Sequence, residues 1–173
     1  MTMDLDNALG GGTTEYFSWA SQDCTFKIDG MAESVTSFLI DPQSIRTGFG
    51  RLASGEAPDW VWAETPGMKI KQPSDEHKPA FGVYVYLTKE SGSTATGSRE
   101  WNSNGRAARE AIKGVWKEID AQRKANEGKW ASVDVSDIKK ERFGQSPVIN
   151  IPVLTLTGWV DNPESDSGSD EEF

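Results

Sequence analysis

Short apolar stretches separated by turn signals alternate along the first 90 residues. Five of them are rich in aromatic and β-branched residues, which favours strands: 16–19, 24–28, 34–40, 45–52 and 59–63. The clearest strand is 80–88, where Phe81, Val83, Val85 and Leu87 alternate with smaller or polar positions. Because side chains alternate along a strand, the aliphatic set predicts a core face, and Tyr84 and Tyr86 the opposite face.

One strong helical pattern follows, over residues 104–126, with an apolar stripe that includes Ala108, Ile112, Val115 and Ile119. Residues 130–135 and 148–160 predict two closing strands, and Pro152 favours an edge or a bulge for the second. The order predicts a mainly β fold with one helix. We expect a five-stranded Greek-key barrel of the oligonucleotide/oligosaccharide-binding (OB) type, with the helix between strands three and four. A β-sandwich with one inserted helix is the open alternative.

The 173 residues predict one domain over 14–160, preceded by a flexible polar lead at 1–13. A disordered acidic tail is expected at 161–173, because such a composition cannot bury enough surface to become ordered. The single cysteine, Cys24, excludes an intramolecular disulfide, and the single histidine, His77, argues against zinc and against histidine-dependent catalysis. We therefore expect no catalytic residue, no metal, no cofactor and no enzyme.

Charge is distributed unevenly around the net value of −9. Residues 161–173 hold six acids and no base, whereas 16–160 hold 18 of each. Residues 69–145 have four more bases than acids. The start resembles no secretory signal and no apolar run could cross a membrane, so we expect a cytoplasmic protein without membrane partners. The pattern indicates a mildly basic folded body with an acidic tail.

Aromatic side chains are the candidate binding groups. Tyr84 and Tyr86 stand about 7 Å apart on one strand face, which suits stacking of neighbouring bases; packing under the helix or a loop is the alternative. Trp60 and Trp62 also share a face, either in the groove or in a hairpin core. Trp101 lies beside Arg99 in a polar neighbourhood and is expected to be an exposed loop residue.

Basic residues are interleaved with these aromatics, which is the combination that binds single-stranded nucleic acid through phosphate neutralisation and stacking. The candidate cations are Arg46, Arg51, Lys69, Lys71, Lys78, Lys89, Arg99 and Arg106. Phosphate-loop and dinucleotide-binding motifs are absent from the sequence. The residues therefore predict a binding protein for single strands.

The segment Glu164–Phe173 is similar to the acidic, Phe-terminated tails of T7-type phage and bacterial single-stranded DNA-binding proteins. This resemblance implies an OB body that coats single strands in replication and recombination, in the host cytoplasm for a phage protein. It also implies a tail that recruits replication or recombination proteins and competes with DNA, here through Asp170, Glu171, Glu172 and Phe173. A homo-oligomer is left open.

Two other classes of function fit parts of the pattern. An inhibitor or DNA mimic would act through its acidic surface, but the neutral body argues against it, since mimics spread negative charge over the fold. A virion or scaffold protein would use the tail only for solubility.

Overall fold

The computed structural model describes residues 16–53 and 55–163. The predicted lead at 1–13 and residues 164–173 of the predicted acidic tail lie outside the described residues, whereas Asp161, expected to begin the tail, is the last residue of a strand. Within the described part, the strands in chain order are β1 (Phe17–Ala20), β2 (Thr25–Ile28), β3 (Met31–Glu33), β4 (Ser37–Arg51), β5 (Asp59–Trp62), β6 (Lys78–Leu87), β7 (Gly97–Ser103), β8 (Lys129–Glu141) and β9 (Ile149–Asp161). The helix α1 spans Arg106–Gln122 and continues as a 3-10 turn, Arg123–Asn126.

A small antiparallel sheet has the order β1-β2-β3. Both Phe17 on β1 and Phe26 on β2 are buried, as the alternating pattern of these strands predicts. Their rings stack at 4.8 Å between centroids and face the large sheet through Phe38. The small sheet therefore covers part of the core.

The large sheet has the order β7-β6-β4-β8-β9, and β5 pairs with the far end of β4. The sequence predicts two strands, at 34–40 and 45–52, where the structure has the single long strand β4. Pairing between β4 and β6 changes register between Asp41 and Arg46, around the buried Pro42. This bulge bends β4, which pairs with β8 before the bulge and with β5 after it.

Helix α1 forms where the apolar stripe predicts it, and its buried residues include Ala108, Ala111, Ile112, Val115 and Ile119. It packs mainly against β9. The Trp159 indole N–H donates a 2.9 Å hydrogen bond to Gln122 Oε1 at the end of α1. The helix and the small sheet together cover one face of the large sheet, called here the inner face.

Trp101 corrects one of the expectations. Its exposed fraction is 0%, and it lies on β7 within the core, not in an exposed loop. Val83 and Trp101 are register partners on β6 and β7, so Trp101 shares the inner face with the aliphatic residues. Four phenylalanine rings surround the indole at 5.1 to 6.2 Å. Because the residues around Trp101 in the sequence are polar, the pattern did not predict β7, whose side chains alternate between the inner and the opposite face.

The prediction of a mainly β fold with one helix is confirmed. In chain order the five strands of the main path are β4, β6, β7, β8 and β9, and α1 lies between the third and the fourth. The sheets are antiparallel but do not close into the expected barrel, because β7 and β9 end the path without pairing with each other. In 16–53 and 55–163, the structure has no helix with the length and apolarity needed to span a bilayer.

Candidate nucleic-acid interface

The face of the large sheet opposite the core, called here the outer face, brings most of the predicted aromatic residues together. The strand register defines it, since side chains of register partners lie on the same side. Across β5, β4 and β6 it aligns Trp60 with Gly50 and Lys78, and Trp62 with Gly48 and Ala80. Further along, the register rows are Arg46-Gly82-Asn102, Asp41-Tyr84-Glu100 and Leu39-Tyr86-Ser98.

Trp60 and Trp62 form a parallel stack on this face. Their ring centroids are 5.5 Å apart and their planes differ by 7°. Both side chains are half-buried and neither belongs to the core cluster, so they do not form the hairpin core that the sequence left open. The stack lies outside the core cluster and is partly exposed.

Glycines make room for this stack. A Cβ atom on Gly50 would come within 2.3 Å of the Trp60 ring, and one on Gly82 within 3.2 Å of the Trp62 ring. A Cβ on Gly48 would meet the β5 backbone itself, at 2.0 Å from the Val61 carbonyl oxygen. The glycines thus form a floor on which the indoles rest. The sequence suggested bends or bulges at Gly48 and Gly50; close approach of side chains and backbone is their structural use.

Arg46 continues the stack. Its guanidinium carbon lies 4.7 Å from the centroid of the Trp62 ring, in cation–π geometry. The same guanidinium donates to Glu100 Oε1 and to Asn102 Oδ1, each at 3.3 Å. The Asn102 amide also donates to Glu100, which holds both β7 side chains in place. Arg46 is thereby oriented by one ring and two acceptors.

The two tyrosines differ in their surroundings. Tyr84 is 43% exposed, and its backbone N–H donates a hydrogen bond of 2.8 Å to the Ser44 hydroxyl in the β4 bulge. Tyr86 is half-buried and meets Trp130 edge-to-face at 6.3 Å. Because α1 packs on the inner face, neither tyrosine lies beneath the helix. Tyr84 is therefore the more open of the two rings.

Two predicted cations lie away from the outer face. Arg99 is the register partner of Val85 on the inner side, where it forms an ion pair of 3.3 Å with Asp29. Arg106, at the start of α1, covers the Phe143 ring at 3.8 Å and pairs with Glu110. Strand alternation places Arg99 on the inner side of β7, and Arg106 lies on α1, so neither side chain is near the Trp60–Trp62 stack. Both stabilise the structure around the core instead.

The remaining predicted cations surround the sheet. Arg51, at the end of β4, is held by Glu76 at 2.7 Å and Glu56 at 3.2 Å, and these bonds raise its pKa. Lys69 and Lys71 are exposed on the connection between β5 and β6. Lys89 is exposed in a 3-10 turn just beyond the Tyr86 end of β6.

Charge on the outer face is mixed. Arg46 and Lys78 share it with Asp41 and Glu100. Sequence reasoning missed Glu100 and Asn102, whose place on the face depends on the register between β6 and β7. A polyanion would gain only part of its affinity here from charge, so aromatic stacking must supply the larger share.

His77 was considered for catalysis and lies in a well-defined hydrogen-bond chain. Ser74 Oγ is 2.7 Å from its Nδ1, and Asp59 Oδ2 is 2.8 Å from its Nε2. Ser74 Oγ also accepts the Glu76 backbone N–H at 3.1 Å. These bonds close the 73–77 turn onto the start of β5, next to Trp60, and so position the stack. The described residues contain no group of three or more potential metal ligands.

Comparison of the chain with protein-family models, with curated proteins and with solved structures finds no match. The resemblance of the acidic tail to those of single-stranded DNA-binding proteins therefore stays a prediction from the sequence.

Proposed function

We propose that this chain is a non-enzymatic, sequence-tolerant single-stranded DNA-binding protein whose binding surface is the outer face. The carrying observation is that Trp60, Trp62 and Tyr84 extend from one sheet face opposite the core, with the Arg46 guanidinium among them. Stacking contributes about 1–3 kcal/mol per base and tolerates any base, because every base has a π-face.

The preference for single strands follows from the stacking mode. Bases in a duplex are already stacked and paired, so a ring on a protein surface reaches them only after they separate. From Lys78 to Tyr86 the outer face extends over nine residues of β6, or eight steps along the strand, which is about 26 Å. That length accommodates several nucleotides in an extended strand, with phosphates reaching Lys78 and Arg46 along the sheet.

The sequence resemblance supplies the biological setting of the proposal. The chain would coat single strands during phage replication or recombination in the host cytoplasm. Its sheet would be an open variant of the OB architecture. The position of α1, between the third and fourth strands of the main path, supports that relation.

The direct test is fluorescence anisotropy with a labelled oligo(dT) and a duplex of the same length. We expect clearly tighter binding to the single strand. If four or five phosphates are neutralised, log K falls with log salt at a slope of about −3. Equal affinity for the duplex, or no salt dependence, would contradict the proposal.

The acidic segment is proposed to compete with DNA and to recruit replication or recombination proteins. Pro163, the last described residue before it, lines a groove of about 510 Å³ together with Leu39, Thr88 and Ser132. Leu39 is the register partner of Tyr86, so Pro163 lies near one end of the outer face. If the segment that follows Pro163 is flexible, its acids would be held at an effective concentration on the order of millimolar.

Deleting 164–173 tests this role and leaves β9, which ends at Asp161, intact. We expect tighter binding of oligo(dT), with a larger gain at low salt, because screening already weakens the competition at high salt. Phe173→Ala should reduce partner recruitment more than it changes DNA affinity, since Asp170, Glu171 and Glu172 supply the competing charge. Unchanged DNA affinity of the deletion variant at low salt would contradict the proposed competition and would indicate that the segment only promotes solubility.

A further inference from the structure

A pocket of about 300 Å³ opens between α1 and the inner face, on the side of the sheet away from the Trp60–Trp62 stack. Its apolar walls come from Ile45, Phe81, Ile112 and Trp116, and its two cations are Arg109 and Lys113. This volume is at the lower end of small-molecule sites, which suits a ligand with one ring.

Arg109 is unusual among the cations of α1. Its Nε atom is buried and has no hydrogen-bond partner in 16–53 and 55–163. The adjacent carboxylate, Glu110, is engaged by Arg106 at 3.0 Å and by Lys113 at 3.5 Å. Burial, and to a lesser extent the nearby charge of Arg106, lower the pKa of Arg109, and the Glu110 carboxylate offsets only part of this. A buried Nε donor without an acceptor is costly, so an anion that the guanidinium can bind gains binding free energy.

We propose that this pocket binds an aromatic carboxylate, with the carboxylate on the Arg109 guanidinium and the ring between Phe81 and Trp116. A guanidinium has a planar fork of donors that matches the two oxygens of a carboxylate. The apolar walls favour a ligand whose other end carries no charge. One guanidinium, beside a lysine already paired with Glu110, matches a monoanion better than a phosphate dianion.

The same chemistry has two sources. One is a free arylacetic acid; the other is a phenylalanine next to acidic residues, as in Glu171-Glu172-Phe173 of this chain. Phenylacetate is a probe for both, and 2-phenylethanol is its neutral counterpart with the same ring and chain length. Binding is followed through the indole N–H resonance of Trp116 in ¹H–¹⁵N spectra, assigned with a Trp116→Phe variant.

We expect a saturable shift of this resonance with phenylacetate and at least tenfold weaker binding of 2-phenylethanol. Arg109→Gln should weaken phenylacetate binding at least tenfold, and Arg109→Lys by less. Lys117→Gln, which removes an exposed cation of α1 that does not line the pocket, is the matched control and should bind within twofold of wild type. Circular dichroism confirms that each variant is folded.

Equal binding of the acid and the alcohol, or unchanged phenylacetate affinity in folded Arg109→Gln, would overturn the proposal. Tighter phenylacetate binding to Phe173→Ala than to wild type would support the site and identify the chain's own segment as a competitor. Equal affinities in these two proteins would support a site for a free acid. The outcome is independent of the DNA proposal, because Trp60→Ala should leave phenylacetate binding unchanged.

Discussion

The guanidinium of Arg46 lies 4.7 Å from the centroid of the Trp62 ring. Trp60 stacks on Trp62 at 5.5 Å, and the register places Arg46 two residues beyond Gly48, on the side away from Trp60. Both faces of Trp62 are therefore occupied within the protein. In the proposed complex, a nucleotide base would therefore stack on Trp60 or on Tyr84, and Trp62 and Arg46 would hold Trp60 in place.

The first prediction concerns Trp60 and Tyr84. Trp60→Ala and Tyr84→Ala should each weaken oligo(dT) binding by about 1–3 kcal/mol, because each removes one stacking partner. Anisotropy titrations measure the loss. Met31, which is 70% exposed on the small sheet, provides the control variant Met31→Ala, expected to bind like wild type. Wild-type affinity in both folded aromatic variants would show that DNA binds elsewhere.

The glycine floor gives a second prediction. Gly50→Ala puts a Cβ atom where the Trp60 ring lies, so the indole must move. We expect a loss of about 1–3 kcal/mol in the free energy of unfolding, as for other overpacked sites, together with weaker DNA binding. Urea unfolding and anisotropy measure the two effects.

Gly114 is the matched control for that substitution. It lies inside α1, and a Cβ atom there meets nothing within 4 Å. Gly114→Ala should raise the free energy of unfolding by about 1 kcal/mol through helix propensity and leave DNA affinity unchanged. Equal effects of the two substitutions on DNA binding would argue against a specific platform above Gly50.

Trp101 gives a prediction about stability instead of binding. Trp101→Ala removes the indole that contacts the rings of Phe17 and Phe81 at 5.1 and 5.2 Å. The expected loss is about 3–5 kcal/mol in the free energy of unfolding, measured by urea denaturation. A folded Trp101→Ala protein with wild-type stability and impaired DNA binding would contradict the buried position of Trp101 and favour the exposed position expected from the sequence.

Acid should weaken one contact between the small sheet and the 93–94 loop. The Thr94 backbone N–H, the Thr94 hydroxyl and the Ser93 hydroxyl all donate to Glu33, and these bonds lower its pKa below the ordinary 4.5. A lowered carboxyl pKa stabilises the fold above the unfolded-state value, and this stabilisation is lost as pH falls through the folded-state value.

Thermal unfolding of wild type and Glu33→Gln at pH 7 and pH 3 measures this contribution. Wild type should have the higher Tm at pH 7, and the difference should narrow towards pH 3, because the Glu33 carboxyl takes up a proton as the pH falls through its folded-state pKa. A difference that stays constant between the two pH values would show that the Glu33 charge contributes nothing to stability.

Alternation and periodicity predicted the local elements well. The strand at 80–88 and the helix at 104–126 have the expected faces, because the aliphatic positions of each must be buried together. In chain order the helix follows the seventh strand, because the small sheet and β5 add strands that the sequence analysis did not separate from the five expected ones. Pro152 lies on β9, which ends the sheet path, in agreement with an edge position.

Long-range relationships were not predictable from local patterns. A bulge joins two expected strands into β4, and the pairing of β6 with β7 takes Trp101 into the core and brings Glu100 to the outer face. Polar neighbours in sequence carry no information on which face a residue occupies. The buried Nε of Arg109 likewise depends on how α1 crosses the sheet, which no helical pattern specifies.

The central claim is that single strands bind on the outer face, and ¹H–¹⁵N spectra of the tryptophan indoles during titration with oligo(dT) test it most directly. Single Trp→Phe variants assign the resonances. The account predicts saturable shifts for Trp60 and Trp62, with those of Trp101 in the core and Trp116 on α1 unchanged. Shifts confined to Trp116, or no shift of Trp60 at saturating DNA, would contradict it.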